Sequence, residues 1–65
     1  MAREREYLVY WSDWHGEHEE KVMSITKGRA VYKVFVMLRD EKHIFEPNIQ
    51  FDLFITHYFK KCVVN

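Results

Sequence analysis

The chain has 65 residues, 48% of them apolar and 17% aromatic, with ten basic and ten acidic side chains. That length admits one domain, close to the lower limit for a core unsupported by metal or disulfide, and the aromatic content is too high for a disordered segment. Zero net charge argues against a general nucleic-acid binder and against an acidic mimic of DNA. The balance is nevertheless uneven, because residues 1–20 hold two basic and six acidic groups (net −4) and residues 21–65 hold eight and four (net +4).

Cys62 stands alone, so no intramolecular disulfide can form. The charged start Met1–Glu6 lacks the apolar stretch of a signal peptide, and no run approaches the roughly eighteen apolar residues of a membrane span. The expectation is a soluble, cytoplasmic protein without a membrane partner.

Residues Tyr7–Trp14 read as a strand, since aromatic and β-branched types cluster there without a helical period. Strand alternation puts Tyr7, Val9 and Trp11 on one face and Leu8, Tyr10 and Trp14 on the other, so a two-layer protein leaves one aromatic side uncovered. His15–Glu20 is polar, contains Gly16 and reads as a turn, with Lys21–Met23 as a short returning strand.

Ser24–Leu38 carries two signals. Its β-branched residues and Lys27–Gly28 suit a hairpin, but as a strand it would present two apolar faces. At 100° per residue, Val31, Val34, Phe35 and Leu38 fall on one stripe with Arg29, Lys33 and Asp40 opposite and Val36 the apolar intruder, which favours a helix capped by Ser24 or Thr26. Asp40–His43 breaks the pattern, and Pro47–Asn48 opens a short second helix. Along Phe51–Phe59, the residues Phe51, Phe54, Ile55 and Tyr58 share a face and Leu53 points away from it. Lys60–Val64 is β-prone and pairs beside Tyr7–Trp14. The predicted fold is α+β: a small two- or three-stranded antiparallel sheet with two helices packed on one face.

No motif of high specificity for catalysis or cofactor binding occurs. His15 and His18, among Glu17, Glu19 and Glu20, supply metal-ligand atoms, but without a second spaced pair they read as a solvated acidic turn. Cys62 reads as a small core residue. Lys27, Arg29 and Lys33 near Gly28 and a helix start are a weak phosphate signal, and with Lys60 and Lys61 they define the rival reading of a nucleic-acid-binding accessory or regulator. Catalytic residues, metal and cofactors are therefore expected to be absent. Aromatic surplus is the better functional signal, and Tyr10, Trp11, Trp14, Arg29, Lys33 and Leu53 are the candidate partner-binding residues, for a protein partner or a second copy in a homodimer.

The run Ser24–Tyr32, followed by Phe51–Phe54 and the basic-apolar ending Lys60–Val64, resembles a pattern in small bacteriophage and prophage proteins: a strand, a Ser/Thr-x-Gly-x-Ala helix start, a short second helix and a terminal strand. The resemblance implies a phage-encoded, non-enzymatic protein that binds and inhibits or redirects a host protein, including components of defence systems such as CRISPR. A second resemblance is to chromodomains, to whose central strand Tyr7–Trp14 is similar and to whose C-terminal half Phe45–Asn48 and the following helix are similar. It implies a peptide-binding module in which Trp11 and Trp14 are two walls of a methyl-lysine cage.

Overall fold

The computed structural model describes residues 3–65; Met1 and Ala2, part of the charged start, lie outside the described residues. Strands β1 (Arg5–Asp13) and β2 (Gly16–Ser24) form a hairpin. Helix α1 (Lys27–Val36) follows, ending in a π-helical turn at Met37–Glu41, and α2 (Phe51–His57) and β3 (Phe59–Val64) complete the order. The three strands make one antiparallel sheet in the order β2-β1-β3, and the helices cover one face of it, which is the α+β architecture expected.

β1 takes the centre because it alone is apolar on both faces. Tyr7, Val9 and Trp11 point under the helices and are buried, while Leu8 and Tyr10 are half-buried on the open face. In register, Tyr7 lies between Val22 and Val64, Val9 between Glu20 and Cys62, and Trp11 between His18 and Phe59. A shift between Tyr10 and Trp11 leaves Lys60 as an extra residue in β3. Such a bulge bends an edge strand where the pairing ends.

β2 corrects the sequence expectation. His15–Glu20 was expected to be a turn, but the reversal takes only Trp14 and His15, and pairing resumes at Asp13–Gly16. Gly16 has φ 127°, a backbone conformation side-chain-bearing residues avoid, and Asp13 Oδ1 accepts the His15 N–H at 2.7 Å, closing the bend. Glu17, Glu19 and Lys21 can occupy a strand because it is an edge, where exposed charges also discourage pairing with another sheet.

The stretch after Thr26 is helical, not a second hairpin, and of the two expected caps, Ser24 and Thr26, it uses the second. Ser24 ends β2 as a buried residue, and Thr26 is the cap, its Oγ1 accepting the Arg29 N–H at 3.2 Å. Such a cap contributes about 1 kcal/mol. Val31, Val34, Phe35 and Leu38 are buried on the predicted stripe, Ala30 is buried with them, and together they pack on Tyr7, Val9 and Trp11. In the π-helical turn Lys42 N–H reaches Met37 O at 3.0 Å, Ile44 N–H bonds Leu38 O at 2.9 Å, and His43 takes φ 54° to redirect the chain.

The second helix also departs in detail. Pro47–Asn48 does not start it; Ile49 N–H to Glu46 O at 3.1 Å closes a reverse turn there, and Gln50 is the residue before the helix. Phe54 is buried and Phe51 and Tyr58 pack on the core as expected, but Ile55 stays 37% exposed. A helix this short, packed on α1, β3 and the loop residue Phe45, cannot bury a wide stripe. Leu53 is exposed, as its position off the stripe predicts.

Candidate functional site: an apolar groove beside the hairpin turn

Two of the candidate residues come together. Trp14 from the β1–β2 turn and Leu53 from α2 form exposed sides of a groove of about 420 Å³. The loop after α1 supplies the rest: Phe45, itself buried, lines the groove together with Ile44 and Ile49, and Tyr58 stands beside Phe45 with ring centroids 4.7 Å apart. Glu46 and Asn48 are its polar members. Trp14 is 70% exposed and Leu53 48% exposed, so the groove presents large apolar groups to solvent.

The turn places Trp14 here. Strand alternation would have put it on the open face with Leu8 and Tyr10, but β1 ends at Asp13, and the reversal carries Trp14 to the helix side. Asp13 anchors the turn: its side chain is 4% exposed, its Oδ1 accepts the His15 N–H, and His18 Nε2 lies 3.1 Å from the same oxygen. Burial is the largest single influence on the Asp13 carboxyl and pushes its pKa up. The His15 N–H and His18 together outweigh it and hold the group below the usual carboxylate range. His18 is fixed from the other side by stacking on Trp11 at 4.4 Å, while the His15 ring rests 5.4 Å from Trp14.

The other candidate residues lie elsewhere. Trp11 is 1% exposed and belongs to the core, so it is not a surface contact residue, and Trp11 and Trp14 do not face each other as two walls of a cage. The reason is register: Trp11 lies on the inward face of β1, against Phe45 at 5.9 Å, whereas Trp14 is past the strand's end. Tyr10 sits on the open face, with Lys61 Nζ 5.0 Å from its ring centre; hydrogen bonding to Glu19 raises its pKa. Lys33 donates to Met23 O at 2.7 Å and so ties α1 to the end of β2, and Arg29 is exposed in the first turn of α1.

Lys27, Arg29 and Lys33 are on α1, across the sheet from Lys61, so the basic residues do not make one surface. Nor do His15 and His18 build a ligand cluster: among the described residues no three His, Cys, Asp or Glu side chains converge. Cys62 is half-buried opposite Val9, and burial pushes its thiol pKa up. Among the described residues no helix is long and apolar enough to cross a membrane.

Sequence reasoning missed Ile44, Phe45, Ile49 and Tyr58 as groove residues. Their signal was an apolar pair, Ile44–Phe45, in an otherwise polar connection, which gains meaning only when the π-helical turn brings the loop back beneath the hairpin. No family model matches this chain, and no curated protein and no solved structure matches it significantly.

Proposed function

We propose that this chain is a non-enzymatic binding protein that engages a protein partner through the groove between the β1–β2 turn and α2, and inhibits or redirects that partner. One observation carries the reading: Trp14 stands 70% exposed at a groove it shares with Leu53, held there by an anchored turn. An indole left in water on a rigid support is a typical anchor, since burying on the order of 150 Å² of it yields about 3–4 kcal/mol gross. The turn adds to this, because the Asp13 contact to the His15 N–H already orders the backbone that carries the indole. The resemblance to small bacteriophage proteins directs the search to a bacterial host protein, with defence systems such as CRISPR included.

Affinity capture from bacterial lysate tests the reading. The wild-type chain should retain a specific protein, Trp14→Ala should reduce its recovery at least about tenfold, as for a hot-spot residue, and Arg29→Ala should leave recovery unchanged. Capture that survives the combined Trp14→Ala and Leu53→Ala changes, or repeated failure to recover any specific protein, overturns it.

A further inference from the structure

We infer that the groove takes a basic side chain, arginine or lysine, presented by an apolar segment of the partner; this rests on the reading of the groove as a docking surface and specifies its occupant. Among the described residues, Glu46 is the one ionisable carboxylate lining the groove, and no lysine or arginine lines it. Several of the chain's carboxylates are already engaged: Asp13 with His18, Glu20 with Lys42, Asp40 with Arg39, and Glu6 with the Asn65 side chain. Glu46 has no side-chain hydrogen bond or ion pair among the described residues, and its exposure leaves it open to a ligand.

The alternatives can be ranked by their consequences for that carboxylate. An acidic occupant would meet Glu46 directly. A wholly apolar occupant would cover Glu46 without pairing it, and an unpaired polar group taken out of water is unfavourable, the more so when charged. A guanidinium or ammonium turns that penalty into a charge-assisted contact. The aromatic lining points the same way: Trp14 is 70% exposed, and an indole ring face carries negative quadrupole density that attracts a cation lying over it. Ile44, Ile49 and Leu53 then receive apolar neighbours of the basic residue, because about 420 Å³ is more than one side chain fills.

The test uses three capped tripeptides, leucine–arginine–leucine, leucine–methionine–leucine and leucine–glutamate–leucine, titrated into the full chain labelled with ¹⁵N. The arginine peptide should move the Trp14 indole and the Glu46 and Leu53 amide signals, and bind at least about fivefold more tightly than the methionine peptide. Glu46→Gln, an exposed and nearly isosteric change whose folding is checked by its unchanged spectrum elsewhere, should remove most of that margin, weakening the arginine peptide and binding the methionine peptide no less tightly than wild type does. Equal binding of the arginine and methionine peptides overturns the inference while supporting the groove as an apolar docking site. Preference for the glutamate peptide overturns it, as does the absence of groove shifts with any peptide at millimolar concentration; in that last case capture with Trp14→Ala still decides the docking reading separately. Groove shifts that grow with protein concentration alone assign the occupant to a second copy of the chain and also overturn it.

Discussion

Trp11 and Trp14 are three residues apart, yet they sit in opposite environments, and this contrast supports a sharp prediction. Trp11 is 1% exposed, stacked on His18 and packed edge-on against Phe45, whereas Trp14 is 70% exposed. Trp11→Ala removes a full core side chain, at about 3–5 kcal/mol. A domain of this length has a total stability of roughly 3–10 kcal/mol, so this variant should be largely unfolded at room temperature. Trp11→Phe is the measurable version: the lost ring volume, on the order of 40 Å³ at about 24 cal/mol per Å³, gives about 1 kcal/mol, and the lost packing on His18 brings the total to about 1–2 kcal/mol. At about 2.1 cal/mol/K per residue, 1 kcal/mol moves the Tm of a chain this long by about 7 °C, so Trp11→Phe should melt some 7–15 °C below wild type. Trp14→Ala should stay within about 0.5 kcal/mol of wild type. Circular dichroism melts and urea titrations read both. If Trp14→Ala proves as destabilising as Trp11→Phe, or Trp11→Ala melts like wild type, the assignment of one indole to the core and the other to the groove is wrong.

The two glycines should respond with opposite signs. Gly16→Ala is strained by φ 127° whatever space surrounds it and should lose about 1–2 kcal/mol, while Gly28→Ala, in the first turn of α1 with open space around it, should gain about 0.5–1 kcal/mol, both read as shifts in the urea midpoint. Asp13 predicts a pH dependence: its carboxyl titrates lower folded than its ordinary value of 3.8, so it contributes stability that is complete above that value and lost as pH falls through the lower folded one. Asp13→Asn should therefore be less stable than wild type near neutrality and show a flatter acid limb in urea midpoints measured from pH 7 down to about pH 2; an acid limb identical to wild type refutes the anchoring role.

What was readable in the sequence was periodicity with enough length to average over. The stripe Val31, Val34, Phe35, Leu38 located the α1 interface, and the alternation Tyr7, Val9, Trp11 identified the inward face of β1, because each pattern repeats several times. Lys21–Met23 was read as a strand, but the first half of β2 was unreadable for the opposite reason. An edge strand need not bury both faces, so Glu17–Lys21 carries no apolar signal, and only its pairing with β1 reveals it. Trp14 was misplaced by extending alternation one step beyond the strand, where the backbone reverses and parity no longer applies. Ile55 shows the same limit at a helix: a stripe predicts burial only where a neighbour exists to cover it.

The groove is built on residues that also hold the fold together, and this decides how it behaves. Phe45 lines it, yet its ring also meets Trp11 at 5.9 Å, Phe54 at 5.7 Å and Tyr58 at 4.7 Å. That aromatic network continues through Phe54 to Phe35 at 5.5 Å, so the groove is joined to the centre of the core by direct packing. The loop carrying Phe45 is fixed at its start by Ile44 N–H to Leu38 O and at its turn by Ile49 N–H to Glu46 O. Opening the groove would therefore mean withdrawing Phe45 from buried contacts, at a cost comparable to a core truncation of about 3–5 kcal/mol. A surface so supported keeps its shape before a partner arrives, and binding then costs little beyond the partner's own ordering. On the proposed docking reading, Trp14, Glu46 and Leu53, which touch solvent, can change to alter recognition without altering the fold, whereas Phe45 cannot: its loss would remove groove and core together.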